Sequence, residues 1–242
     1  ADKNKLLHKK GLPLQGQSVA LEEPAAYQGK NIRIENGAYK FDFITPEVTL
    51  RDVSFCLPGH HNLHNAVTAL SMAILAGAPT HLLKEALSKF KGVARRFSYR
   101  IRRDDLVLID DYAHHPTEID ALYQGVSEMY PDDQKLIVFQ PHLFSRTRDF
   151  IDGFAESLAK FDQVMLLDIY PARETPIEGV NSSWLLEKIK KIAIDVDNIS
   201  LVSKQSLPEH LKNSSCRIKL LVGAGDIGAE VSQITKILEH EN

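Results

Sequence analysis

Cysteine is scarce in this sequence, and long apolar runs are absent from it. The two cysteines among 242 residues, Cys56 and Cys216, lie far apart and near no C-x-x-C spacing, so neither a disulfide framework nor a zinc knuckle is indicated. A reducing, cytoplasmic location is expected. No run approaches the roughly 20 apolar residues that span a bilayer, and the first residues lead into no signal-peptide core. We therefore expect no membrane partner and no export.

Neither sign of charge is in marked excess. Lys and Arg number 29 against 32 Asp and Glu, which gives a net charge of -3. This balance provides no electrostatic reason to bind nucleic acid or acidic lipid. With 43% apolar and 25% charged residues, the chain can bury the core of one large or two small domains. The composition favours a protein that handles small molecules.

Short β-like runs dominate the first part of the chain. Alternating residues over 31–34 and 39–43 flank Asn36-Gly37, and this pattern predicts a β-hairpin. Apolar residues at helical spacing then predict helices over 62–75 and 81–90.

From about residue 97 onward, buried-strand patterns alternate with amphipathic helix patterns. The predicted strands are 106–109, 136–139, 164–167, 199–202 and 219–222, and the predicted helices are 117–129, 149–161, 183–194, 207–211 and 227–239. This alternation predicts an α/β fold: a Rossmann-like open, mostly parallel sheet with helices on both faces, over 97–242. Ligand groups in such sheets follow the carboxyl ends of the strands. The informative loops therefore follow Ile109, Phe139, Leu167 and Val222.

The first of these loops is dense in titratable side chains. It reads Asp110-Asp111-Tyr112-Ala113-His114-His115-Pro116-Thr117-Glu118. One interpretation is a functional site. The other is that the two aspartates accept hydrogen bonds from loop amides and the histidines are solvated.

The second loop carries two arginines, in Gln140-Pro141-His142-Leu143-Phe144-Ser145-Arg146-Thr147-Arg148. Guanidinium groups match carboxylates and phosphates, although surface arginines are commonly just solvated. Their place at a strand end favours anion binding. For the third loop, 168–176, the expectation is only an exposed loop that shapes the site.

The last predicted strand runs into Gly223-Ala224-Gly225-Asp226-Ile227-Gly228, which matches G-x-G-x-x-G. One hypothesis is an NAD-binding oxidoreductase domain. Its mechanism requires a second strand and an acidic residue about 20 positions on, and the sequence stops at Asn242. The favoured interpretation is a tight strand-to-helix turn whose amides face an anion.

Three histidines lie around the start of the first predicted helix, in Gly59-His60-His61-Asn62-Leu63-His64-Asn65-Ala66. No Glu, Asp or Cys stands at a matching helical position, so no metal site is predicted. Asn62 and Asn65 share a helix face and offer the donors and acceptors that read an adenine edge. Helix capping is an equally good interpretation of these asparagines.

Together these segments resemble the Mur ligase family. The stretch 59–66 resembles its adenine-side G-x-H-N-x-x-N-A segment, and Gly92-Val93-Ala94-Arg95-Arg96-Phe97 resembles the junction between its central and C-terminal domains. Asp111-Tyr112-Ala113-His114 is similar to the D-Y-A-H of the last domain. The resemblance implies that 1–96 is the C-terminal part of the central ATP-binding domain, its β-hairpin and helical tail, and that 97–242 is the C-terminal domain.

Within the family, the residues 111–118, 139–142 and 145–148 most resemble the member that adds L-alanine to UDP-N-acetylmuramate. The resemblance implies an ATP-dependent ligase of peptidoglycan synthesis that uses ATP and Mg²⁺ and proceeds through an acyl phosphate. The nucleotide contacts implied by position are Asn62, Asn65, Arg96 and Asp111. The implied substrate contacts are Tyr112, His142, Arg146 and Arg148, and the implied proton acceptor is His114.

Two departures from the family pattern matter. A G-x-x-x-x-G-K-[ST] phosphate loop appears nowhere in the chain, nor does the domain that grips UDP, so we expect part of an enzyme that is inactive alone. The basic residue that often follows the Pro-His pair is Leu143 here, which leaves Arg146 or Arg148 for the carboxylate. The alternatives are a recycling ligase that attaches a murein peptide to UDP-N-acetylmuramate, and a non-catalytic binding module.

Overall fold

The structure is a computed structural model that describes residues 16–35, 37–192 and 198–239. The chain divides into two compact units between Phe90 and Lys91. The division lies before the domain boundary that the sequence predicts after residue 96. The backbone shows why the junction belongs to the second unit: the amide of Tyr112 donates to the carbonyl of Arg95 at 2.8 Å.

The first unit is a four-stranded sheet packed against two helices. Its elements are β1 (Val19–Leu21), β2 (Tyr27–Glu35), β3 (Ala38–Ile44), β4 (Thr49–Phe55), α1 (His60–Leu75) and α2 (Thr80–Ser88). The strands lie in the order β1-β2-β3-β4, with β1 parallel to β2 and the other pairs antiparallel. Tyr39, Phe41 and Phe43 alternate along β3 and are buried, which is the period of two that predicts a strand. The predicted hairpin is β2–β3, and Asn36 of its predicted turn lies outside the described residues.

The second unit is the predicted α/β domain. Its sheet contains β5 (Ser98–Arg102), β6 (Val107–Asp111), β7 (Lys135–Phe139), β8 (Gln163–Leu166), β9 (Ile199–Leu201) and β10 (Ile218–Val222). The order is β5-β6-β10-β7-β8-β9, and every neighbouring pair is parallel except β5–β6. The sequence analysis did not predict β5. This antiparallel edge strand fully buries only Ile101, so it lacks the apolar run of a central strand.

Helices cover both faces of this sheet, as predicted. They are α3 (Pro116–Met129), α4 (Phe144–Asp149), α5 (Ile151–Leu158), α6 (Ser182–Lys190), α7 (Leu207–Asn213) and α8 (Ile227–Glu239). On one face the Phe139 and Phe154 rings lie 5.4 Å apart, which places α5 there with α3 and α6. On the other face, Val138 and Leu221 share a buried cluster with Val231 of α8.

Two predicted helices differ from the observed ones. The helix predicted over 149–161 is α5, which is shorter at both ends, and the short helix α4 before it was not predicted; the two are separated at Phe150, where φ is -120°. The helix predicted over 183–194 ends at Lys190, and residues 193–194 lie outside the described part of the chain. No helix in 16–35, 37–192 or 198–239 is both long and apolar enough to cross a membrane.

The carboxyl ends of three neighbouring strands lie side by side. Val222 of β10 is in register with Asp111 of β6 on one side and with Phe139 of β7 on the other. β10 comes after β6 and β7 in the sequence but lies between them in the sheet, so this is where the strand order switches. Open α/β sheets bind ligands at such a point.

Candidate active site

His114 follows β6 with its imidazole held in one orientation. Its Nδ1 lies 2.9 Å from the carbonyl oxygen of Tyr112. A carbonyl only accepts, so Nδ1 carries the proton of the neutral ring, and Nε2 keeps its lone pair. The Glu118 carboxylate accepts a 2.8 Å hydrogen bond from the His114 amide and fixes the loop. Nε2 of His114 is therefore a proton acceptor held at the strand end.

His142 follows β7 and lies near His114. The two ring centroids are 6.3 Å apart, so the loops after Ile109 and Phe139 converge, as the sequence predicts. Nη1 of Arg146 lies 3.4 Å from Nδ1 of His142, and because a guanidinium only donates, this nitrogen accepts. Burial, and then the charge of Arg146, lower the pKa of His142; His114 adds to the shift only when it is itself protonated, and Glu174 opposes it. His142 is therefore mainly neutral at pH 7.

The loop after β8 supports the His142 segment, a role that the sequence analysis did not find. The Tyr170 ring stacks on the His142 ring with centroids 5.6 Å apart. The Leu143 amide donates to the Tyr170 carbonyl at 3.0 Å, and the Tyr170 amide donates to the Pro141 carbonyl at 2.8 Å. The sequence analysis expected only an exposed loop that shapes the site, whereas Tyr170 of this loop packs against His142 and bonds the backbone on either side of it. The one available signal was its place after the strand next to β7.

Asp111 at the end of β6 is bonded through both carboxylate oxygens to backbone amides. Oδ2 accepts from the Phe97 amide at 2.7 Å, and Oδ1 accepts from the Ala113 amide at 2.8 Å. Burial raises the pKa of Asp111, although these hydrogen bonds and the charge of Arg96 act in the opposite direction. This geometry agrees with the interpretation that the aspartate satisfies loop amides. A nucleotide contact by Asp111 stays a prediction.

Asp110 precedes it and is buried among arginines. Its carboxylate is 1% exposed, 2.8 Å from the Arg100 guanidinium and 3.4 Å from that of Arg95. Such pairing balances a charge that is otherwise costly to bury. We therefore assign Asp110 a structural role at the end of β6.

Arg95, not singled out from the sequence, is built into this end of the sheet. Its guanidinium donates to the Gly223 carbonyl and lies 5.0 Å from the centroid of the Tyr112 ring. Arg96, the predicted nucleotide contact, is exposed. Both Arg95 and Phe97 have left-handed φ values, 60° and 47°, so the backbone twists sharply here. Two adjacent arginines in a sequence offer no pattern that tells which one points inward.

The glycines after β10 pack against protein side chains. A methyl group on Gly225 would lie 2.4 Å from Oε1 of Gln140 and 2.7 Å from Cβ of Tyr170. One on Gly228 would lie 2.5 Å from Cζ of Arg95. These contacts account for the glycines without a dinucleotide.

Gln140 ties this turn to β7. Its side chain, 2% exposed, donates to Asp226 at 2.7 Å and accepts from the Ile227 amide at 2.9 Å. The predicted tight strand-to-helix turn is present, but one amide that was expected to face an anion is bonded to Gln140. The two partners of this hydrogen bond are 87 positions apart, so the local sequence could not predict it.

A family match follows the same segments. The family described as Mur ligase, glutamate ligase domain, matches residues 95–218. This chain belongs to the Mur ligase family. The second unit contains the whole match, which includes His114, His142 and Arg146.

This Mur ligase chain has relatives that share more than half of its residues. It is 55% identical over 237 residues to the UDP-N-acetylmuramate–L-alanine ligase of Christiangramia forsetii, a match that covers 98% of this chain and 51% of that protein. It is 52% identical over 240 residues to the ligase of the same name from Flavobacterium psychrophilum, covering 99% and 52%. The chain spans about half the length of the curated relatives it matches.

A solved structure shares the fold of this Mur ligase chain. It is the UDP-N-acetylmuramate-alanine ligase of Thermotoga maritima, with a TM-score of 0.74 and 23% identity, over 92% of this chain and 48% of that one. At this identity the match supports the fold alone.

The remaining predicted site residues of this Mur ligase chain lie in two places. Arg148 is half exposed and pairs with Asp149 at 2.7 Å, so Arg146 is the arginine that the structure places beside His142. In the first unit, the Asn62 amide group donates to the Pro58 carbonyl at 2.7 Å, and Asn65 is exposed on the same helix. Among the described residues, no group of three or more His, Cys, Asp or Glu side chains is placed to hold a metal ion.

Proposed function

We propose that this chain forms part of an ATP-dependent ligase that joins L-alanine to the carboxylate of UDP-N-acetylmuramate, a step of peptidoglycan precursor synthesis. The observation that carries the proposal is the convergence of His114, His142 and Arg146 at the switch point of the sheet. The names of the relatives from Christiangramia forsetii and Flavobacterium psychrophilum support it. In this proposal, 1–96 belongs to the central ATP-binding domain and 97–242 is the C-terminal domain.

The proposed reaction requires an amine that has lost a proton, and His114 has the matching group. Amino acids carry an ammonium group at neutral pH, which cannot attack a carbonyl. Nε2 of His114 is an acceptor, since its other nitrogen faces the Tyr112 carbonyl. We propose that His114 takes this proton, with Tyr112 and His142 forming the walls around the amine.

Arg146 supplies the complement to the amino-acid carboxylate. A guanidinium group bonds a carboxylate through two parallel hydrogen bonds, which fixes its orientation. The neutral His142 beside it adds no second positive charge. Arg148 lies two residues further along α4 and faces Asp149, so we assign it a peripheral substrate contact at most.

ATP supplies the phosphoryl group that activates the substrate carboxylate when it is bound. The fit of this chain to ATP rests on Asn62 and Asn65, one helical turn apart on α1, which offer amide groups to a purine edge. Arg96 is exposed, as is required of a residue that contacts a phosphate group. The Asp111 carboxylate accepts a hydrogen bond from the amide of Phe97, the residue after Arg96. The described residues offer no cluster for Mg²⁺, so we propose that its ligands and the phosphate loop lie in another part of the enzyme. Consumption of ATP places the reaction in the cytoplasm.

A chimera tests this function. The chain is joined behind the upstream half of the Christiangramia forsetii relative, and transfer of radiolabelled L-alanine to UDP-N-acetylmuramate is followed with ATP present. We expect product from the chimera and none from either half alone. Preferential incorporation of a murein tripeptide would instead identify a recycling ligase. Saturable NAD binding without ligation would identify an oxidoreductase domain, and no activity with any of these substrates would leave a binding module.

A further inference from the structure

Glu174, in the loop after β8, bonds the start of α4 through both of its carboxylate oxygens. Oε2 accepts from the Ser145 amide at 3.0 Å, and Oε1 accepts from the Ser145 hydroxyl. Both donors belong to one residue, although 29 positions separate the partners in the chain. These hydrogen bonds, the hydroxyl's first, lower the pKa of Glu174, so the side chain is charged at neutral pH.

The helix α4 lacks the usual means of fixing its own start. Leu143 occupies its N-cap position, where it provides no side-chain hydrogen bond, and its φ is 73°. A branched residue in this left-handed region is strained and persists only where its surroundings hold it. The first amides of a helix also require acceptors from outside, and a carboxylate is favoured there. Glu174 supplies such an acceptor from a different loop, and Tyr170 of the same loop accepts from the Leu143 amide.

The residues that depend on this start are the proposed amino-acid contacts. Arg146 comes directly after Ser145, and His142 lies three positions before it. His142 is held by the ring of Tyr170, which belongs to the same loop as Glu174. One loop therefore supports the segment at two points, with Arg146 next to one of them.

We infer that Glu174 is a positioning residue for amino-acid binding: it holds the first turn of α4 so that the Arg146 guanidinium meets the substrate carboxylate. This inference rests on the proposed function. We assign Glu174 no chemical step, because both of its oxygens are bonded to Ser145 at the start of α4, and its charge acts on Arg146 and His142 only through space.

Two substitutions separate positioning by hydrogen bonds from a need for charge. Glu174→Ala removes both acceptors. Glu174→Gln removes the charge, but its carbonyl still accepts from the Ser145 amide, while its NH₂ group donates to the Ser145 hydroxyl, which turns to accept. The matched control is Glu178→Ala, an exposed carboxylate four positions further along the same segment.

In the chimeric ligase, we expect Glu174→Ala to raise the KM for L-alanine about 10-fold, the size of one lost hydrogen bond to a charged group. Its kcat should change much less. Glu174→Gln should restore most of the KM, and Glu178→Ala should match the parent. A Gln variant as impaired as the Ala variant, with the loss in kcat, would overturn the inference because it would show a chemical role for the charge.

A second readout needs no activity. Hydrogen exchange of the Ser145 amide is measured in the 242-residue chain by NMR. We expect faster exchange in Glu174→Ala and near-parent protection in Glu174→Gln. Equal protection of the Ser145 amide in the parent and in Glu174→Ala would refute the inference that Glu174 holds the first turn of α4. If the parent chimera makes no product, the proposed function fails, and the exchange data still decide whether Glu174 holds this turn.

Discussion

The Tyr170 ring lies against the His142 ring with centroids 5.6 Å apart and an angle of 25° between the planes. This stack joins the loops after β8 and β7, and His142 in turn lies 6.3 Å from His114 of the loop after β6. Three strand-end loops of one sheet therefore form a continuous group of rings. The predictions below follow from this arrangement and from the turns that support it.

We predict that His142 titrates below the ordinary histidine value of 6.5, because burial and the charge of Arg146 disfavour its protonated form. Arg146→Met should raise the midpoint. The ring Cε1–H signal followed by NMR against pH measures both.

The same shift fixes the sign of a stability change. The pKa is lowered in the folded state, so the unfolded chain binds this proton more readily. The contribution of His142 is present above pH 6.5 and is lost as pH falls toward the folded pKa. His142→Gln should weaken this pH dependence in urea unfolding. An NMR titration midpoint of His142 at or above pH 6.5 would contradict the lowered pKa.

Gly225→Ala should destabilise the chain by about 1–3 kcal/mol, because the added methyl overpacks the buried turn. It would lie 2.4 Å from the Gln140 side-chain oxygen and 2.7 Å from Cβ of Tyr170. Urea unfolding measures the loss, with Gly16→Ala as the control, since its methyl meets nothing within 4 Å. Unchanged stability together with lost NAD binding would restore the dinucleotide hypothesis.

Much of the second unit was predictable because its strands are buried on both faces. Parallel strands covered by helices are mostly apolar, and β6, β7 and β10 each contain at least three neighbouring apolar residues, although each also contains Asp or Lys. The edge strand β5 is mostly polar and escapes this pattern. The short helix α4 also escaped prediction, because its six residues contain only one large apolar side chain and so show no apolar periodicity.

The site was predictable where titratable side chains lie in the loops just after the strands. His114 and His142 each lie three residues beyond a strand, and the rule that strand ends converge brought them together. Glu174, Gln140 and Arg95 act through partners 29, 86 and 128 positions away, and no local pattern encodes such contacts.

Asp111→Asn should cost about 1–3 kcal/mol, because an amide oxygen can replace one acceptor and leaves a buried N–H without its partner. The donors at risk are the amides of Phe97 and Ala113. Urea unfolding measures the cost, and the exposed Asp132→Asn serves as the control.

The pH dependence of this effect has a definite sign. Burial raises the folded pKa of Asp111 above 3.8, so its contribution is complete below that pH and is lost as pH rises through the folded pKa. Asparagine does not titrate, so the variant should lack this slope. A variant as stable as the parent at every pH would show that the two hydrogen bonds do not matter.

His114→Ala should lower kcat of the chimeric ligase by about 100-fold or more, the usual contribution of a general base. The KM for L-alanine should change little, because Arg146 still binds the carboxylate. Initial rates over a range of L-alanine concentrations separate the two constants. His210→Ala, an exposed histidine of α7, controls for loss of a histidine as such. A kcat equal to the parent's would remove His114 from the chemistry.

A double-mutant cycle on His114 and His142 tests most directly whether the two loops form one site. Values of kcat/KM for L-alanine are measured in the parent chimera, His114→Ala, His142→Ala and the double variant. Residues in one site act together, so we predict that the double variant loses much less than the product of the two single losses. If the losses multiply independently, or if neither substitution lowers kcat/KM, the loops after β6 and β7 do not form the amino-acid site of this ligase.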